Sequence, residues 1–245
     1  MAEIDETNAV LHEFIEAYDG IRDHTFFVQI GANDGRHDDP LNPFVERSRW
    51  RGVLVEPVPY VFKRLTHTYA HRPDLILVNA AVSSREGSAT FYYLEETTDA
   101  LPVWYDQVGS FMLETILDTW SERMIPDLRE RIRETEVNCL TFTTLCERSD
   151  VARVDVIHMD TEGHDYEILK SIDLVRYRPE LVIYEHKHLD STHRAAADAM
   201  MREYGYATAE IGYDTLCVQQ AALAAAEADL GPAWHQALNA PSWYE

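Results

Sequence analysis

Positive charge is what this chain has least of. Its 245 residues carry 21 Lys and Arg against 43 Asp and Glu, a formal net charge of −22 at pH 7. Phosphate backbones and anionic lipid surfaces are bound through clusters of Lys and Arg, so neither nucleic acid nor a membrane is an expected partner. Cysteine is also scarce. Cys139, Cys146 and Cys217 make an odd number with no CxxC pair, which points to neither a disulfide framework nor a thiolate zinc site. No apolar run is long enough to cross a bilayer. The first ten residues, MAEIDETNAV, are acidic where a secretory leader is basic and then apolar, so the expected location is the cytoplasm. Internal repeats and low-complexity linkers are lacking too, and residues 1–245 read as a single domain.

What the chain does have is alternation. Val10, Leu11, Phe14, Ile15 and Tyr18 fall at helical spacing and predict an N-terminal helical cover over residues 5–24. Apolar segments FFVQI, GVLVEPV, LILVNAAV, VDVIHMD and ELVIYEHK then alternate with helical patterns, which predicts parallel pairing with right-handed crossovers. GSATFYYL reads as a short extra strand, and YATAEI with DTLCVQQ as a closing antiparallel pair around Gly212 and Asp214. The expectation is an α/β fold with a mostly parallel, seven-stranded sheet and helices on both faces. Residues 97–136, rich in aromatics and charges, break the rhythm and are expected to be a helical insertion or lid. Residues 221–245 are expected to form a helical tail. The sequence says nothing of oligomeric state.

In such a sheet, ligands bind beyond the carboxyl ends of the strands, and those ends carry the candidate residues. The first ends in Gly31, Ala32, Asn33, Asp34, Gly35. A dinucleotide GxGxxG fails here at Asn33 and Arg36, and a phosphate-binding GxxxxGK[ST] fails at Arg36 and His37. The turn suits a ligand without a pyrophosphate, whose amino-acid-like end is held by backbone groups, Asn33 and Asp34. Glu56 ends the second strand and can accept hydrogen bonds from both hydroxyls of a ribose. Small residues at Ala81 and Val82, after the third, would admit a flat adenine ring. Asp160, Glu162, His164 and Asp165 follow the fourth strand, with Glu185, His186 and His188 at the fifth. Asp165 reads as a helix-capping residue. Carboxylates and imidazoles from adjacent strand ends can hold a proton or a hard cation.

Taken in order, FVQIGANDG, RGVLVEPVP, VNAAVSSREGSATFY, VNCLTFTTL and VDVIHMDTEGHDYEILKSID resemble the FkbM-type S-adenosylmethionine-dependent methyltransferases. The resemblance implies a Rossmann-like class I methyltransferase fold and methyl transfer to a hydroxyl of a sugar, polyketide or other small metabolite. It places Gly31, Asn33 and Asp34 at the methionine part of S-adenosylmethionine, Glu56 at its ribose, and Ala81 and Val82 at the adenine edge. Asp160 and Glu162 match the family's acidic motif, and Gln29 departs from the acidic residue common at its position.

For the transfer itself, alignment of acceptor and methyl supplies much of the rate, and the acceptor proton must leave. Asp160, His164 and His186 are the expected catalytic residues. A Mg²⁺ or Mn²⁺ site built from Asp160, Glu185 and His186 is the other expected route. Two rival readings stand beside this one: a nicotinamide-dependent oxidoreductase, which Glu56 would also suit, and a catalytically silent cofactor-binding protein of the same fold.

Overall fold

The computed structural model describes residues 2–47, 49–102 and 104–243, with side chains from residue 9 onward. Helix α1 (Ala2–Gly20) buries Leu11, Phe14, Ile15 and Tyr18, the stripe its periodicity predicts. Strand β1 (Thr25–Ile30) follows, then α2 (Asn42–Glu46), β2 (Trp50–Val55), α3 (Pro59–Thr68) and β3 (Ile76–Val78). Both α2 and α3 carry proline in the first turn, where its missing N–H costs nothing. The chain continues through β4 (Ala81–Val82), β5 (Gly87–Leu94), β6 (Gly109–Ser110), α4 (Leu113–Thr119), α5 (Leu128–Arg131), β7 (Ile132–Leu140) and α6 (Phe142–Arg148). It then returns to alternation: β8 (Val156–Met159), α7 (Asp165–Ser171), α8 (Leu174–Tyr177), β9 (Leu181–Glu185), α9 (Ser191–Glu203), β10 (Tyr206–Ile211), β11 (Asp214–Gln219), α10 (Gln220–Ala225) and α11 (Glu227–Leu238).

The main sheet has seven strands in the order β10-β11-β9-β8-β1-β2-β3, and β11 alone runs antiparallel to its neighbours. Alternate residues of each strand feed two cores. Phe27 and Val156 pack on one face with Phe14, Phe44, Leu65 and Leu230, which brings α1, α2, α3 and α11 there. Val28 and Ile157 pack on the other with Phe142, Ile168 and Met201, under α6, α7 and α9. From β1 the chain runs outward through β2 to β3, then returns to β8 on the opposite side. The strand order therefore reverses between β1 and β8, and a crevice opens at their carboxyl ends.

Three expectations change. LILVNAAV is not one strand: it leaves the main sheet after Val78, and Ala81–Val82 joins a second, four-stranded sheet ordered β4-β7-β5-β6. The break is fixed by Asn79, whose amide donates to the carbonyls of Glu56 (2.8 Å) and Pro57 (3.0 Å). GSATFYYL also belongs to this second sheet, paired along its whole length with β7. The segment 97–136 is therefore not a purely helical insertion. It holds β6 and two short helices, and its last residues, from Ile132, already belong to β7. It packs a core of Tyr105, Val108, Ile116, Ile125 and Leu128 against Leu94 at the end of β5. Among the described residues no helix is long and apolar enough to cross a membrane.

Candidate active site

A cavity of about 320 Å³ occupies the crevice beyond β1, β2, β8 and β9. Its floor is the turn after β1. Gly31 has φ +78°, and a Cβ there would come 1.8 Å from the carbonyl oxygen of Asp160, so only glycine lets the ends of β1 and β8 meet. Asn33, at φ +46°, donates its backbone N–H to Glu56 Oε2 (3.0 Å) and its side-chain amide to the carbonyl of Gln107 (3.2 Å). Asp34 does not line the cavity. Its carboxylate accepts from the N–H groups of Arg36 and His37 and contacts His37 Nδ1 at 2.6 Å, so it shapes the turn from outside.

Glu56 is buried at the mouth of β2, accepting from Val58 N–H (2.8 Å) as well as Asn33. Burial outweighs those hydrogen bonds and pushes its carboxyl up to about 7. Beside it, Val58, Val61, Ala81, Val82 and Phe91 form the apolar wall of the cavity. Phe111 closes that wall from the segment between β5 and β7, edge-on to Phe91 with centroids 5.1 Å apart. Gln29, the penultimate residue of β1, donates its side-chain amide to Asp39 Oδ1 at 3.0 Å. Burial raises Asp39 to about 6.

The opposite wall is acidic. Asp160, Glu162, Glu185 and Asp214 all line it, with Lys187 the cation among them. Asp160 opens into the cavity yet is ringed by protein, and burial together with Glu162 and Asp165 holds its carboxyl well above the usual range. Glu185 is raised in the same way, by burial and then Asp160. Burial pushes Asp214 up to about 7. Asp165 accepts from Thr161 Oγ1 (2.8 Å) and lies behind this wall as a brace for the loop.

Two of the three expected catalytic residues do not face the cavity. His164 lies with Nε2 3.1 Å from Ser83 Oγ and its ring 4.6 Å from that of Phe111, so it buttresses the wall from behind. His186 is fully buried with Nδ1 2.9 Å from Thr215 Oγ1, and burial lowers its pKa to about 4. The reason is strand geometry: at the end of β9, Glu185 and Lys187 turn toward the cavity and the residue between them turns away. The expected metal trio of Asp160, Glu185 and His186 therefore does not assemble. His158 does face the cavity, with burial lowering its pKa to about 4 and Nδ1 left without a hydrogen-bond partner. Sequence reasoning passed over it, although a histidine inside the apolar strand VDVIHM is a visible signal. Gln107, Lys187 and Asp214 were also missed as lining residues, because only folding brings their loops to the crevice.

Residues 29–208 match the methyltransferase FkbM domain. The chain belongs to the FkbM methyltransferase family. Among solved structures, methyltransferase FkbM from Methylobacillus flagellatus KT is similar at 12% identity and a TM-score of 0.48, over 81% of this chain. The match covers 45% of that chain, so this protein spans less than half of its length. Precorrin-6y C5,15-methyltransferase from Geobacter metallireducens GS-15 is similar at 13% identity and a TM-score of 0.41, covering 87% of this chain and 86% of that one. An S-adenosylmethionine-dependent methyltransferase from Aquifex aeolicus is similar at 10% identity and a TM-score of 0.38, covering 84% and 87%. No curated protein sequence matches the chain. Membership of this family, with this sheet, gives the Rossmann-like class I fold, and the family implies S-adenosylmethionine as methyl donor; the nicotinamide reading is not favoured. The site fits that donor: a glycine turn without a pyrophosphate pattern, a buried carboxylate at the end of β2, and an acidic wall suited to a cationic ligand.

Proposed function

We propose that this protein transfers the methyl group of S-adenosylmethionine to a hydroxyl oxygen of a small-molecule acceptor. The observation that carries the reading is the convergence of Glu56 and Asp160 on one cavity, on either side of the Gly31 turn. Bound S-adenosylmethionine supplies a methyl group already activated on a positive sulfonium. The chain has to bind, orient and accept a proton. Backbone groups of the Gly31–Asn33 turn hold the amino-acid end. Glu56 accepts from the ribose hydroxyls, and Val58, Ala81 and Val82 flank the adenine. Asp160 faces the open part of the cavity as a proton acceptor for the hydroxyl. Phe111 and Trp120, from the segment between β5 and β7, line the same cavity and exclude water. That enclosure, with the acidic wall, supports a small neutral or cationic acceptor over a polyanion.

Calorimetry with S-adenosylmethionine and NAD, followed by mass spectrometry of hydroxyl acceptors incubated with the protein, tests this. The expected result is binding of the first alone and formation of a methyl ether together with S-adenosylhomocysteine. Binding without transfer to any acceptor favours the silent cofactor-binding reading, and no binding overturns the proposal.

A further inference from the structure

Beside the acceptor's part of the cavity, three side chains with ligand-type atoms converge. Glu162, Glu185 and His188 each offer one ligand atom, and these atoms lie within 4.8 Å of one another. Glu162 and Glu185 are 8% and 7% exposed, and Glu162 Oε2, Glu185 Oε2 and His188 Nε2 are buried without a hydrogen bond. Glu162 Oε2 does stand 2.8 Å from His188 Nε2, but the alignment is not that of a hydrogen bond. Among the described residues no lysine or arginine forms an ion pair with either glutamate. Buried carboxylates are normally paired or hold a metal.

The backbone is arranged to hold these groups together. Glu162 and Gly163 have φ +52° and +97°. A Cβ on Gly163 would come 3.2 Å from His188 Cβ, so the glycine lets the loop after β8 close onto the loop after β9. Ser110 of β6 fastens that loop by donating its hydroxyl to the Glu162 carbonyl at 2.9 Å.

We propose that Glu162, Glu185 and His188 bind one first-row divalent cation of the Mn²⁺ or Zn²⁺ type. Two carboxylate oxygens and one imidazole nitrogen favour such an ion over Mg²⁺ or Ca²⁺, which prefer all-oxygen shells. Small rotations of the three side chains bring their atoms to the roughly 2.0–2.2 Å such ions require. Glu162 and Glu185 also line the cavity, so the remaining coordination positions face it. On the methyltransferase reading, on which this step rests, the ion selects acceptors that present two adjacent oxygens, such as a diol or a hydroxy acid.

Electron paramagnetic resonance of Mn²⁺ added to the full chain reads binding without any activity. One Mn²⁺ per chain is expected, displaced by Zn²⁺ and not by Mg²⁺, with affinity falling on the order of tenfold or more in Glu185→Gln and in His188→Gln. If a variant does not fold, anomalous diffraction from parent crystals grown with Mn²⁺ decides, by a peak between the three side chains. No uptake by the parent, which would make the contact an ion pair only, overturns the site, as does equal uptake by both variants. S-adenosylmethionine binding is measured on the same parent sample. Mn²⁺ uptake without it overturns the proposed function and leaves the site standing, whereas the reverse overturns the site alone.

Discussion

At position 31 a side chain would meet the carbonyl of Asp160 and would also need the left-handed backbone region, at φ +78°. Gly31→Ala must therefore push β1 and β8 apart at the crevice. A stability loss of about 2–4 kcal/mol is expected in urea denaturation, with S-adenosylmethionine binding abolished. A variant as stable as the parent contradicts the close approach. Glu56 makes a different kind of prediction, because its carboxyl titrates at about 7 when the cavity holds only solvent. On the proposed ribose contact the ionised form is the one that accepts from the two hydroxyls, so affinity for S-adenosylmethionine should fall as pH drops from 8 to 6. Glu56→Gln should remove that dependence and cost about 1.5–3 kcal/mol, roughly ten- to a hundredfold in the dissociation constant. Calorimetry at three pH values checks both statements.

The segment between β5 and β7 shows how an element contributes to a site without supplying chemistry. It packs a core with Leu94 of β5, and Trp120 stacks on Trp104 with centroids 4.5 Å apart while also lining the cavity. Asp106 ties it to α3 through Arg64 at 2.6 Å, and the Gln107 carbonyl receives the Asn33 amide. The segment thus touches the Gly31–Asn33 turn through its backbone and the cavity through its aromatic rings. Trp120→Ala removes only the latter. The expected outcome is about a tenfold loss in kcat/KM for the acceptor, with the S-adenosylmethionine dissociation constant within about twofold of the parent. Steady-state kinetics beside calorimetry separates the two, and an equal loss in both would place Trp120 against the cofactor instead.

Across the whole molecule, buried carboxyls make the ligand-free protein sensitive to pH. Glu56 and Asp39 have folded pKa values of about 7 and about 6, above their ordinary values of 4.5 and 3.8. Between the ordinary and folded values the native state binds more protons than the unfolded one, so stability falls as pH rises through that window. His158 acts in the opposite direction. Its folded pKa of about 4 lies below the ordinary 6.5, so its contribution is complete above 6.5 and is lost as pH falls toward 4. From Glu56 and Asp39 the ligand-free protein should therefore gain about 1 kcal/mol between pH 8 and pH 6.5, and below that the His158 loss should offset part of their further gain. S-adenosylmethionine at a hundredfold excess over its dissociation constant should add about 2.7 kcal/mol at any pH where it binds. Thermal melts over pH 5–8, with and without S-adenosylmethionine, test both; a flat profile for the ligand-free protein would show that these carboxyls are solvated.

The alternation of apolar strands with helices was legible because a parallel strand buried on both faces reads as a nearly continuous apolar run, as FFVQI in β1 and LVIY in β9 do. The turn at Gly31 and the acid at Glu56 were legible for the same reason: strand ends stand out where apolar runs stop. β7 was not legible. Its first five residues, IRETE, are at most half-buried, so hydrophobicity marks only its end, and its pairing with β5 is made across the intervening segment. The sequence also could not show which neighbours at the end of β9 enter the cavity. A strand fixes that alternate residues share a face, but the packing of β9 between β8 and β11 fixes which face is which. That phase turned Glu185 inward and His186 toward Thr215, and the loop beyond brought His188 to Glu162. Local chemistry thus determined the strands and the turn, while the meeting of side chains distant in sequence was decided by sheet order and loop closure.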